Sequence, residues 1–239
     1  MEQRTFLIVD SKATSVFYTA SLLRKLRYIV RSVGSGEDAL EMVAQSAPTC
    51  VITDTVLPRM SGLDLLKRMK GNAGLRFIPV IVSSADDSAA MRDACREAGC
   101  AGYFVKPIVP EALYQAIQAA SEATPRKNIR ITTALKARIA TGPAGRTRTE
   151  DVTSLSVGGL YVRTTSPEPV KASVSITLLL GNSEIAATAV VLYSSEKEGG
   201  MHAFPGMGMK FTDIGASDVQ CIREFIRSEL MKDLGDLRV

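Results

Sequence analysis

Five short apolar runs in the first half of this 239-residue chain alternate with segments of helical periodicity. Four of the runs close on a residue with chemistry: FLIVD on Asp10, CVITD on Asp54, IPVIVSS on Ser84 and GYFVKP on Lys106. The strand-like runs fall near 5–10, 28–33, 50–53, 78–83 and 101–105, and between them apolar residues recur at helical spacing, as in Val16, Ala20, Leu23 and Leu63, Leu66, Met69. Strands alternating with helices predict a parallel sheet covered on both faces. In such a sheet, residues just beyond the carboxyl ends of the strands converge on one crevice. Two carboxylates, a hydroxyl and an ammonium are therefore expected to meet at one point, a set suited to reversible capture of a phosphoryl group on an aspartate.

The character changes after Pro125. The last helix of the first half starts at Pro110, a favourable first helical position, and is expected to run through LYQAIQAASEA until Pro125 stops it. From Ile129 onward the period is two, with Leu135, Ala137 and Ile139 alternating with Lys136 and Arg138. Further strand-like runs lie near 146–153, 159–164, 173–180, 185–194 and 207–212, separated by TGPAG, SPEPV, GNSE and EKEGG. This pattern predicts a small antiparallel sandwich or barrel, closed by a helix over about Ser217–Leu230 whose apolar stripe is Val219, Ile222, Phe225, Ile226 and Leu230. The expected division is 1–122 and 123–239.

Composition narrows the function. A hydrophobic share of 46% is enough for packed cores. No apolar run reaches the roughly 20 residues of a membrane helix, and the start, MEQRTFLIVD, leads straight into a strand without a charged leader, so a cytoplasmic location is expected. Cys50, Cys95, Cys100 and Cys221 show no CxxC spacing and read as reduced thiols. His202 is the single histidine, which leaves no His cluster for a metal and no Ser-His pair; Met201, Met207 and Met209 read as packing residues. The net charge of +4 is mild, but Arg126, Lys127, Arg130, Lys136, Arg138, Arg146 and Arg148 fall in one stretch without an acid, which suggests an anion nearby. No helix-turn-helix pattern follows residue 125, so no DNA partner is expected.

The first 120 or so residues resemble the response-regulator receiver family. DTVLPRMSGLDLL looks like its phospho-acceptor stretch, with Asp54 as acceptor; Ser84-Ala85 fits its hydroxyl position, Tyr103 its switch aromatic, and Lys106-Pro107 its lysine and a proline after a cis peptide. The resemblance implies a flavodoxin-like doubly wound sheet, a sensor histidine kinase or phosphotransfer protein as partner, and Mg²⁺ held by Asp10, Asp54 and the Val56 carbonyl. The family carries a second acid after the first strand, where this chain has Ser11 and then Lys12, so one metal ligand and one charge are missing.

Residues from about 124 to 232 resemble the PilZ family, on TPRKNIRITTALKARI, SLSVGGLYV and GMGMKFTDIGASDVQCIREFI. The resemblance implies a six-stranded barrel with a C-terminal helix that binds cyclic di-GMP, with Arg126 and Arg130 as its RxxxR and Ser154, Ser156 and Gly159 at its [D/N]xSxxG positions. Arginine suits the task because its planar fork grips phosphate or a guanine edge bidentately and stacks on bases. Ser154 replaces an Asp or Asn and has a shorter reach. Ser156 is expected to offer a hydroxyl donor, and Gly158 and Gly159 to let backbone approach the ligand. The chain reads as a non-enzymatic switch that signals to a downstream protein; with one or both sites degenerate it would instead be a constitutive interaction scaffold.

Overall fold

A computed structural model describes residues 4–122, 124–140, 147–195, 205–232 and 234. The chain divides into two compact units, Met1–Lys127 with Leu230–Val239, and Asn128–Glu229. Met201, His202 and Arg146 lie outside the described residues.

The first unit runs β1 (Thr5–Val9), α1 (Ala13–Lys25), β2 (Ile29–Val33), α2 (Gly36–Ser46), β3 (Cys50–Thr53), α3 (Gly62–Gly71), β4 (Val80–Ser84), α4 (Ala89–Glu97), β5 (Gly102–Val105) and α5 (Pro110–Ser121). The five strands are parallel in the order β2-β1-β3-β4-β5. The three central strands read as continuous apolar runs because both of their faces are covered. Leu7, Val9, Val51, Val80 and Val82 pack with Ala39 and Val43 of α2 and Leu65, Leu66 and Met69 of α3. The alternate residues Phe6, Ile8, Ile52 and Ile81 are at most 2% exposed on the other face. Three helices start on serine caps: Ser35, Ser61 and Ser88 accept from the N–H groups of Asp38, Asp64 and Met91. α5 ends at Ser121 rather than continuing. The Ser121 hydroxyl donates back to the Ile117 carbonyl at 2.6 Å, and Glu122 is extended and paired with Arg4.

The second unit is a closed antiparallel barrel, β10-β11-β8-β7-β6-β9, made from β6 (Arg130–Ala140), β7 (Arg148–Ser156), β8 (Gly159–Arg163), β9 (Ser173–Leu180), β10 (Ser183–Ser195) and β11 (Gly206–Ile214), followed by α6 (Ala216–Met231). Closure leaves no strand edge unpaired. The period-2 pattern survives in burial: Val174, Ile176, Leu178 and Leu180 of β9 are buried and alternate with more exposed residues. Val152, Val162, Ile176, Val191, Met207 and Met209 add to the core, as do Ile222 and Ile226 of the α6 stripe.

Candidate functional site

At the carboxyl ends of β1, β3, β4 and β5, the structure brings Asp10, Asp54, Ser84 and Lys106 together. Lys106 Nζ donates to Asp10 Oδ2 at 2.5 Å and to Asp54 Oδ2 at 2.6 Å. Asp10, Asp54 and Lys106 have side chains only 6%, 5% and 9% exposed, so this is an almost dry three-charge cluster. Each carboxylate also has backbone support: Lys12 N–H donates to Asp10 Oδ1 at 2.8 Å, and Val56 N–H donates to Asp54 Oδ1 at 3.2 Å. Two buried carboxylates around one ammonium leave a net negative charge, and the low local dielectric makes every charge there matter more than in water.

Chain geometry holds Asp54 in place. Asp54 N–H donates to the Val9 carbonyl, which ties the end of β3 to β1, and Lys106 N–H donates to the Ser84 carbonyl, which ties β5 to β4. The loop after Asp54 is closed by Gly62, whose N–H donates to the Thr55 carbonyl at 3.0 Å. A Cβ on Gly62 would lie 1.8 Å from the Asp54 carbonyl oxygen, so only glycine permits this approach. The Lys106–Pro107 bond is cis, as the sequence suggested.

A hydroxyl chain leads away from Asp54. Thr55 Oγ1 lies 3.4 Å from Asp54 Oδ1, its acceptor, and 2.5 Å from Ser84 Oγ. Ser84 Oγ accepts from Asp86 N–H at 3.1 Å, and the Tyr103 hydroxyl donates to the Asp86 carbonyl at 2.5 Å. Burial pushes the Tyr103 phenol above its ordinary pKa. Its ring faces the Arg92 guanidinium at 5.5 Å. Sequence reasoning missed Thr55. Its place, directly after Asp54 and two residues past the fully buried β3, was legible, but its hydroxyl partner was not.

No metal-binding group of three or more His, Cys, Asp or Glu exists among the described residues. The donor chemistry still fits a hard cation: Asp10 and Asp54 converge on one atom, and oxygen ligands with several retained waters suit Mg²⁺. Asp10, Asp54 and the Val56 carbonyl would hold it, and it would supply charge neutralisation for phosphoryl oxygens.

In the barrel unit, Arg130 opens β6, exposed and opposite Ser156 of β7; Thr132 stands opposite Ser154, which in turn faces Tyr161. Arg126, in the first unit, is exposed, and its N–H donates to Gln118 Oε1 at 2.9 Å. Two expectations need correction. The Ser156 hydroxyl is buried and donates to the Gly159 carbonyl at 3.0 Å, so its proton is used inside the β7–β8 turn. Gly159 approaches the barrel's own backbone, since a Cβ there would lie 2.1 Å from the Met209 carbonyl oxygen; a Cβ on Gly158 would lie 2.9 Å from Asn128 Nδ2. The basic stretch also disperses in space. Lys136 pairs with Asp151 at 2.5 Å, Arg138 with Glu184, and Arg148 with Glu168 at 3.0 Å and Glu150 at 3.2 Å. The strand register brings Asp151 to Lys136, while Glu150 lies two residues from Arg148 on the same strand. Arg126 and Arg130 hold no ion pair among the described residues.

A model of the response regulator receiver domain matches residues 6–118, and one of the PilZ domain matches residues 124–228. The two-component response regulator ORR3 of Oryza sativa subsp. indica is 37% identical over 105 residues, which cover 44% of this chain and 80% of that protein. The sensory/regulatory protein RpfC of Xanthomonas campestris is 30% identical over 137 residues, 54% of this chain and 19% of that protein. A crystal structure of the signal receiver domain of a signal transduction histidine kinase from Syntrophus aciditrophicus aligns with TM-score 0.47 at 24% identity, over 52% of this chain and 93% of that one. The chain belongs to the response regulators. Behind its receiver domain it carries a PilZ domain.

Proposed function

We propose that this response regulator accepts a phosphoryl group on Asp54 from a sensor histidine kinase or phosphotransfer protein, binds cyclic di-GMP through its PilZ domain, and presents the combined state to a downstream protein in the cytoplasm. The observation that carries the first part is the Lys106 ammonium held between Asp10 and Asp54 in a nearly dry crevice. An Asp54 oxygen attacks the phosphorus of a phosphohistidine. The O–P bond forms as the P–N bond breaks, and the electron pair leaves with the imidazole. Lys106 then faces the phosphoryl oxygens and the Ser84 hydroxyl donates to them. The chain is a carrier of signal rather than a turnover enzyme, and the reading needs no DNA partner. Arg126 and Arg130 have the exposure and chemistry to clamp an anionic guanine dinucleotide, with Ser154 on the adjoining strand two residues from Ser156, which lies opposite Arg130.

Labelling with acetyl phosphate, with Asp54→Asn as control, tests the first part. Calorimetric titration with cyclic di-GMP tests the second. A second reading, an interaction scaffold, is favoured by one observation: Lys106 already neutralises Asp54, and Ser11 stands where an acid would add metal affinity. Failure of both assays selects it.

A further inference from the structure

We propose that Thr55 is a positioning residue that latches the Ser84 hydroxyl while Asp54 is unphosphorylated, and so sets how readily a phosphoryl group captures the β4–α4 loop. The inference rests on the reading of Asp54 as acceptor.

Proton accounting gives the latch its direction. Thr55 and Ser84 each have one hydroxyl proton, and their oxygens are 2.5 Å apart, both buried. One acceptor position on Ser84 Oγ is taken by Asp86 N–H. The ionised Asp54 carboxylate can only accept. The arrangement that satisfies all three has Ser84 donating to Thr55 and Thr55 donating to Asp54 Oδ1. Ser84's proton is then turned to Thr55 and away from the acceptor. A phosphoryl group on Asp54 adds strongly charged oxygen acceptors, and charge-assisted hydrogen bonds outcompete neutral ones. For Ser84 to serve them it must release Thr55. Release also loosens its hold on Asp86 N–H, and the Asp86 carbonyl is where Tyr103 is anchored. Thr55 therefore stabilises the resting arrangement only, and a contact made in one state alone shifts the balance between states.

Trifluoroberyllate, a phosphoryl mimic, is titrated in Mg²⁺ buffer into the full-length wild type, Thr55→Val and Thr55→Ser. Removing the latch hydroxyl while keeping its shape is expected to tighten mimic binding about fivefold, about 1 kcal/mol at 1.4 kcal/mol per tenfold. Thr55→Ser is expected to bind as the wild type does. General damage to the site weakens binding, so a gain separates a latch from a packing role. Unchanged or weaker binding in Thr55→Val overturns the proposal, as does a Thr55→Ser variant that behaves like Thr55→Val. Without any mimic, the Asp86 amide is expected to shift and exchange faster with solvent in Thr55→Val but not in Thr55→Ser; an unmoved amide also overturns the latch. If the wild type binds no mimic, the phospho-acceptor reading fails and the amide measurement alone decides the latch.

Discussion

In the receiver unit, Asp10, Asp54 and Lys106 are in contact and nearly sealed from water, whereas in the barrel unit Arg130 stands exposed at the first residue of β6 without a carboxylate partner among the described residues. The first set is held by the sheet. Parallel strands carry each residue to the same edge, and backbone bonds between β1 and β3 and between β4 and β5 fix the spacing. On β6 and β7 the barrel does the reverse, since Lys136, Arg138 and Arg148 each have an acid of their own. Among the described cations of these two strands, Arg130, opposite Ser156, has no ion pair. One unit therefore holds its charged side chains preassembled, and the other leaves Arg130 exposed.

The largest expected effect tests the preassembled side. Lys106→Ala leaves two buried carboxylates without a cation, and is expected to destabilise the receiver by about 3–5 kcal/mol in denaturant unfolding of the full chain. Lys106→Ala with Asp54→Asn should recover part of that loss. A loss near zero in the single variant would show that water reaches the cluster. Next in size, Arg130→Ala is expected to weaken cyclic di-GMP binding at least about a hundredfold by calorimetry, with Arg130→Lys nearly as poor, because a point charge does not replace a bidentate fork. Unfolding of the same variant should be unchanged, as expected of an exposed side chain outside the packing. Destabilisation without loss of binding would reverse the comparison.

The glycines sharpen it further. Gly62→Ala and Gly159→Ala each push a methyl into a backbone carbonyl, of Asp54 and Met209 respectively, and each is expected to cost about 1–3 kcal/mol of stability. Only Gly62→Ala should also lower acetyl phosphate labelling, since it displaces Asp54, the proposed acceptor. On the metal, Ser11→Asp restores a charged ligand and is expected to tighten Mg²⁺ by about 1–3 kcal/mol over the wild type. Equal affinity would mean that position 11 does not face the cation.

How legible each part was in the sequence follows from the same physics. Asp10, Asp54, Ser84 and Lys106 could be placed because strand ends in a parallel sheet converge whatever the loop lengths between them. Thr55 could not, because a side chain's choice between solvent and a neighbouring hydroxyl depends on packing that periodicity does not encode. The basic stretch misled for a related reason: linear clustering says nothing about cross-strand partners such as Lys136 and Asp151, which lie opposite each other only once the register is set. Gly159 was visible as a special position, but whether it approaches a ligand or a strand is decided by barrel closure. α5 ended early through the Ser121 hydroxyl and the Glu122–Arg4 pair, and no helical signal in LYQAIQAASEA reports the latter.

The smallest effect uses one thiol from each unit. Cys50, in the middle strand β3 of the receiver sheet, is fully buried, while Cys221 on α6 is exposed. Burial pushes the Cys50 thiol from 9.0 up to about 12, because the thiolate would lie in an apolar sheet. A folded pKa above the unfolded one means the folded state holds its proton longer. The resulting stability is fully present below pH 9.0 and is lost as pH rises from there towards about 12. Unfolding free energy is thus expected to decline above pH 9.0, by about 1 kcal/mol at pH 10, and Cys50→Ala should flatten that part of the profile. Alkylation under native conditions should modify Cys221 promptly and Cys50 only through opening of the receiver sheet. If Cys50 reacts as fast as Cys221, the receiver is not the sealed half of the molecule, and its charge cluster would be wet as well.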